Sequence, residues 1–343
     1  MPGLAAKMPA QPGGGAWRIG SWRRPSLVRA GEGLGAMLAI AALLVLMQPL
    51  LSPPAEMSVG ETGERRTLGG WRDWATSEGA GDTIVSGYVG YPIFHRSNVH
   101  LTRPGGTDLE LKNLGWDGDA FYFPIDGGAR VVHWGDRFGS MVDFMHNKAI
   151  ARLGRGAHGR KPNRFETLPV EEVEASGTLK GQPAPARIKL TEVFDRLEFT
   201  HGHNTLLFTG LMRLGSLTPR LRPYLGIGAG FELPHVEIWP KGEADKTNEY
   251  QYAGPAGQLI AGIEFRMAKA TYFLEYKFTL ASLGGALTGD KSWLNSNMLG
   301  DLWRQFQRWR SGEAPKYGTF RTTLAAHQVV GGVGYRWERA SAP

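Results

Sequence analysis

The sequence predicts an all-β protein: an eight-stranded antiparallel up-and-down transmembrane β-barrel with long extracellular loops. Three observations carry this. Eight segments alternate apolar and polar residues with a period of two, the connections between them alternate between short and long, and an apolar run behind a basic stretch opens the chain.

The seventh segment is the clearest. Tyr272, Leu274, Tyr276, Phe278 and Leu280 share one face, and Thr271, Glu275, Lys277 and Thr279 share the other, with Phe273 breaking the pattern. The eighth sets Val329, Val333, Tyr335 and Trp337 against Gln328, Gly332, Gly334 and Arg336. In the fifth and sixth, Leu221, Leu225, Ile227, Phe231 and Leu259, Ile263, Phe265 oppose Arg222, Gly226, Glu232 and Gln258, Glu264, Arg266. Weaker alternation covers 83–91, 127–134, 139–148 and 204–214. Each segment has about the 9 to 11 residues that a tilted strand needs to cross a bilayer.

Short connections at 135–137, 215–218 and 268–270 alternate with long ones at 92–126, 149–203, 233–255 and 284–321. A periplasmic amino terminus makes the four long loops extracellular. A soluble lipocalin-like barrel is the alternative, but it needs an apolar interior. Here the apolar face is opposed by charges of both signs, Arg130, Asp143, Arg222, Glu232, Glu264, Arg266, Glu275, Lys277 and Arg336, which suit a lumen plugged by ion pairs.

Composition is compatible with this fold. Hydrophobic residues make up 42% of 343, and 48 glycines suit twisted strands better than helices. The formal charge is +7, of which Lys7, Arg18, Arg23, Arg24 and Arg29 against Glu32 place 5 − 1 = +4 before residue 56, leaving +3 for the rest. That balance argues against a nucleic-acid partner. The absence of cysteine excludes disulfides, thiolate metal sites and cysteine nucleophiles.

Residues 1–55 read as an export signal, with basic residues to Arg29, an apolar run over 37–47, then Pro49, Pro53 and Pro54. A signal anchor is the rival, because the stretch 34–51 approaches spanning length. Residues 56–81 then form a periplasmic extension, 82–338 the barrel and 339–343 a tail.

This topology places His95, His100, His146, His158, His201, His203, His235 and His327 at strand tops or outer loops, and only His133 in the periplasmic half. Asp117 and Asp119, the run Glu192, Asp195 and Glu198, and Glu237 fall near them. Imidazoles with carboxylates suit Zn, Fe, Cu or Mn, and a His-x-His pair on a regular strand puts both rings on one face. His201, His203 and His235 are therefore candidate metal ligands, with Asp117 and Glu237 as candidate catalytic carboxylates. The alternative is that these histidines are polar contacts to headgroups and neighbours.

Two loops fit anionic lipid. The second carries Lys148, Arg152, Arg155, Arg160, Lys161 and Arg164 without an acid between 147 and 165, so guanidinium forks there can pair phosphates; a solvated loop is the other reading. In the last loop, 298–310 spaces Leu302, Phe306 and Trp309 among Trp303, Arg304, Arg308 and Arg310, an interfacial helix or one that packs on the rim. Trp303, Arg304 and Trp309 join the candidate substrate contacts.

The block from Arg103 through Gly105-Gly106-Thr107-Asp108 to Trp116-Asp117-Gly118 resembles the outer-membrane β-barrel family containing lipid A oxidases. So do Phe199-Thr-His-Gly-His-Asn204, Arg222-Pro-Tyr-Leu-Gly-Ile-Gly-Ala-Gly230 with Pro234-His-Val-Glu237, and Leu274-Glu-Tyr-Lys-Phe278. The resemblance spans about 83–337. It implies oxidation of the proximal glucosamine of lipid A to 2-aminogluconate, with molecular oxygen as co-substrate, a divalent metal ion as cofactor and lipopolysaccharide as partner. A monomer in the outer membrane of a Gram-negative bacterium is expected from the barrel topology. No flavin or nicotinamide motif is present. Two rivals stand beside this reading: a non-catalytic structural or adhesive barrel of the OmpA type, and a lipid A deacylase. The latter family carries His-x-Ser-Asn, where this chain has His201-Gly202-His203-Asn204.

If the apolar run is a cleaved signal, intact mass of the membrane-extracted protein should place the mature amino terminus between Ser52 and Gly60. A mass retaining residues 1–50 would establish an anchor instead.

Overall fold

In the computed structural model, residues 81–161, 169–289 and 296–337 are described. The expected signal and almost all of the expected extension and tail lie outside them. The first half of the chain forms β1 (Thr83–Phe94), β2 (Ser97–Arg103), β3 (Thr107–Leu114), β4 (Trp116–Asp117), β5 (Gly127–Trp134), β6 (Phe138–Ala151), β7 (Glu172–Leu179), β8 (Gln182–Pro183) and β9 (Arg187–Lys189). A helical turn α1 (Leu190–Val193) leads into β10 (Phe194–Arg213), β11 (Leu221–Glu232), β12 (His235–Pro240), β13 (Thr247–Tyr250), β14 (Gly254–Met267) and β15 (Ala270–Ala286). The helix α2 (Met298–Arg310) precedes β16 (Thr319–Trp337).

Eight strands pair antiparallel in the order β1–β5–β6–β10–β11–β14–β15–β16, and β16 returns to β1 from Thr83↔Trp337 to Phe94↔Ala326. The ring is closed, so its strands have no free edge. All eight expected segments are ring strands, and the faces expected for β11, β14, β15 and β16 hold except at Leu221, which is buried. On β15, Tyr272 and Leu280 are exposed while Thr271, Glu275, Lys277 and Thr279 are buried. Phe273 also points inward, 3.5 Å beneath the Arg130 guanidinium and edge-on to Tyr88.

The burial is inverted relative to a soluble barrel. Val85, Val89, Val131, Val142, Phe208, Ile227, Leu259, Val329 and Val333 are exposed around the ring, while its charged residues are buried inside. Such an exterior needs hydrocarbon around it, and closed strand rings satisfy every backbone group there. The protein is thus built for the outer membrane of a Gram-negative bacterium.

The lumen is filled by linked ion pairs. Arg130 donates to Glu275 at 2.7 Å and to the Tyr224 hydroxyl at 3.2 Å, and Tyr224 donates to Glu275 at 2.6 Å. Lys277 pairs with Asp143, which also accepts from Tyr88 at 2.7 Å. Nearer the periplasmic end, Arg266 pairs with Asp82 at 2.8 Å and Glu264 at 3.1 Å, and Trp134 donates to Glu264 at 2.9 Å. Each of these charges has a partner of opposite sign, as burial at this depth requires.

The segments expected as long loops fold more than the sequence indicates. β2, β3 and β7 continue the sheet from β16, β4 pairs with β6, and β12 and β13 form a hairpin on β10. Above the membrane zone the interior becomes apolar, with Leu101, Leu111, Trp116, Leu197, Phe199, Val236, Ile238, Leu283 and Phe320 in one core. The reason is the change of solvent outside. Where the exterior meets water, polar residues can face out and apolar ones pack within.

Ile227 is 69% exposed at the middle of β11. Ile227→Arg should lower insertion stability by about 2–4 kcal/mol, measured by reversible urea unfolding in vesicles.

Candidate metal centre

Regular pairing of β10 with β6 breaks where β10 leaves the membrane zone. Phe199 pairs with Ala149 and His203 with Asn147, so β10 advances 203 − 199 = 4 residues while β6 advances 149 − 147 = 2. The two extra residues form a bulge containing Gly202, whose φ of +131° suits glycine. A Cβ there would run into the Asn204 carboxamide.

The bulge separates the two histidines that simple alternation puts together. His203 turns into the interior, buried, with Nδ1 2.7 Å from Glu232 Oε1 and its ring 5.9 Å from Phe94. His201 joins the face opposite the apolar core, where the cross-strand pair Glu198↔Glu237 also lies.

Glu237 is the hub. Its Oε1 lies 2.6 Å from His201 Nδ1 and 3.2 Å from His235 Nδ1, and accepts from the Thr200 hydroxyl at 3.0 Å. Its Oε2 accepts from Arg196 at 2.7 Å. His235 Nε2 is 3.1 Å from the Ser296 hydroxyl, which donates to Asp301 of α2 at 2.5 Å. Tyr250 bonds the His201 carbonyl at 3.1 Å and stacks edge-on to His235.

His158 comes from the second loop. It sits in a short 3₁₀ turn, Ala157–Gly159, with φ +57°, and Arg196 holds its carbonyl at 2.7 Å. Its ring is 4.3 Å from that of His201, which is 4.8 Å from that of His235. One donor atom each from His158, His201 and Glu237 lie within 4.8 Å of one another, a set that can close on a metal ion.

Burial first, and then the neighbouring His201, push the His158 imidazole down to about 4, so it is neutral at neutral pH and has a lone pair to give. Burial, then the facing Glu237 carboxylate, push Glu198 up to about 8. Burial works to raise Glu237 as well, but the bonds from His201 and His235 outweigh it and hold Glu237 well below the usual range.

Of the residues expected from the sequence, His201, His235 and Glu237 converge here. His203 does not, because the bulge turns it inward. Asp117 does not either: on β4 it is held by Arg152 through bonds of 2.9 and 3.1 Å. Arg160 is likewise engaged, with Asp119 at 2.6 Å and stacked over Tyr122. Arg155 and Lys161 are exposed, and Arg164 lies outside the described residues. Trp303, Arg304 and Trp309 are on α2, with Arg304 paired to Asp301.

Sequence reasoning did not assign His158, Thr200 or Arg196 to the site. The glycines at 154, 156 and 159 signal a tight turn around His158, but nothing local says which histidine that turn meets.

Fold and site together define a closed antiparallel ring with a metal-capable centre on its outer rim. No family model and no curated protein matches the sequence. Among solved structures, the outer-membrane protein AlkL in lipid bilayers is similar at 12% identity and a TM-score of 0.33, over 83% of this chain and 100% of that one. The outer-membrane protease OmpT of Escherichia coli is similar at 8% identity and a TM-score of 0.28, over 76% and 98%. The monoaromatic hydrocarbon channel CymD follows at 8% and 0.15, over 76% and 89%.

Gly202→Ala should strain the bulge and cost more than about 1 kcal/mol. A lowered unfolding midpoint, with heat-modifiable migration retained, checks this.

Proposed function

We propose that this protein is a metal- and oxygen-dependent enzyme of the lipid A oxidase type, converting the proximal glucosamine of lipid A to 2-aminogluconate at the outer face of the membrane. The observation that carries this reading is the gathering of His158, His201 and Glu237 on the rim, where headgroups lie. The resemblance of the Gly-Gly-Thr-Asp to Trp-Asp-Gly and Phe-Thr-His-Gly-His-Asn blocks to that family supports the substrate.

The donor set fits a divalent transition metal: two imidazoles, one of them held neutral by burial, and one carboxylate. Bound there, such an ion supplies Lewis acidity and a path for electrons to oxygen. The chain's own residues set the geometry around it. Arg196 and Thr200 fix the Glu237 carboxylate from two sides, and Ser296 holds His235 by its outer nitrogen. Arg155 and Lys161 are exposed cations of the second loop that can meet lipid A phosphates. Arg152 and Arg160, tied to Asp117 and Asp119, brace the loop that carries His158.

Mass spectrometry of lipid A from cells with and without the protein tests the reading. A gain of one oxygen supports oxidation. Loss of an acyl chain would mean a deacylase, and no change would mean a structural or adhesive barrel.

His158→Ala and His201→Ala should each abolish the oxygen gain and reduce bound metal while the ring still folds. His203→Ala should act differently. It leaves Glu232 buried without its partner, so it should cost about 3 kcal/mol of stability and spare the metal. Metal content and heat-modifiable migration distinguish the two outcomes.

A further inference from the structure

Two exposed aromatic elements flank the metal centre, and each is continuous with the lipid-facing band of the ring. One is the loop 119–126 between β4 and β5. Phe121 and Phe123 are 77% and 81% exposed, with Ile125 half exposed beside them. Phe121 packs 6.2 Å from Tyr91, an outward residue of β1, so the loop extends the apolar exterior upward. Tyr122 turns the other way, its ring 5.9 Å from that of His158.

The other is α2. Asp301, Gln305 and Arg308 dock it, through the Tyr250 amide at 3.0 Å, the Tyr252 backbone at 2.7 and 3.0 Å, and Glu249 at 2.7 Å. At about 100° per residue, Leu299, Leu302, Trp303, Phe306 and Trp309 then fall on one flank, with Arg310 at its C-terminal end, and Arg304 and Gln307 on the other. Trp303 and Trp309 are 60% and 75% exposed. Tyr252 packs 5.9 Å from Phe231, an outward residue of β11. Through Asp301 and Ser296 the same helix reaches His235.

In the ring, β5, β6 and β10 lie between β1 and β11, and the centre stands on β10. We propose that the loop 119–126 and α2 are two jaws embedded in the outer leaflet at the boundary of headgroups and acyl chains. The centre between them then receives an amphiphile sideways from that leaflet. An apolar surface of this extent facing water is costly, whereas an amphipathic element at the interface buries it. Only the naming of the centre rests on the proposed function; the embedding does not.

The chain contains no cysteine, so a single introduced thiol reports one position. Phe123→Cys, Trp309→Cys, Gln307→Cys and Ser176→Cys would be labelled with bimane in the full-length protein. Each would be reconstituted into phosphatidylcholine vesicles with and without brominated acyl chains. Bromolipid should quench the label at 123 and 309, and iodide in the water should quench it at 307 and 176. Quenching of 123 and 309 by iodide alone would overturn the proposal. So would protection from both quenchers that depends on protein concentration, because the surface would then be covered by a second copy. The same pattern is expected in a His201→Ala background, so a failure of the metal reading is separable from a failure of this one.

Discussion

Closure of the ring is the constraint on which the rest depends. Within a bilayer no water satisfies an open strand edge, so pairing β16 to β1 is what lets any of these strands cross. Closure also settles the two faces. The outside must be apolar, and the polar residues of the period-two pattern are driven inside, where charges need opposite charges and neutral groups need hydrogen-bond partners. The couplings among Arg130, Glu275, Tyr224, Lys277, Asp143 and Tyr88 follow from this geometry. They bring together residues up to 189 positions apart.

The same ring continues above the membrane under different rules. Where water replaces lipid outside, the interior turns from ionic to apolar, and the outward face becomes free to carry chemistry. The bulge in β10 lies at that transition. It hands His203 to the interior and His201 to the outer face. Glu237 then collects donors from β10 and from His235 of the β12–β13 hairpin, and His235 is tied in turn to α2 through Ser296 and Asp301. A carboxylate with several such partners is rigidly oriented, which a metal ligand requires.

The proposed metal centre and the two exposed aromatic elements are joined by hydrogen bonds and ring contacts. Tyr122 links the aromatic loop to His158, and Asp301 links the aromatic helix to His235. Binding energy gained at the membrane surface can therefore act on the position of two imidazoles.

The fold was legible because alternation at period two is a local property, repeated eight times, and strand faces follow from it directly. Tyr272 and Glu275 fall where the pattern puts them, and even Phe273, which breaks it, faces inward by parity. The basic loop, the rim histidines and the amphipathic 298–310 segment were legible in kind for the same reason. Their partners were not. His201 and His203 look equivalent by spacing until a bulge separates them, and His158 stands 43 residues before His201 in the chain. Asp117 has the right chemistry for the site, yet Arg152 holds it elsewhere. By itself the sequence determined which residues face lipid and which face the lumen, because that depends on neighbours one and two positions away. Only the tertiary structure decided which histidines and carboxylates meet, because that depends on strand register, a bulge and loop closure between distant segments.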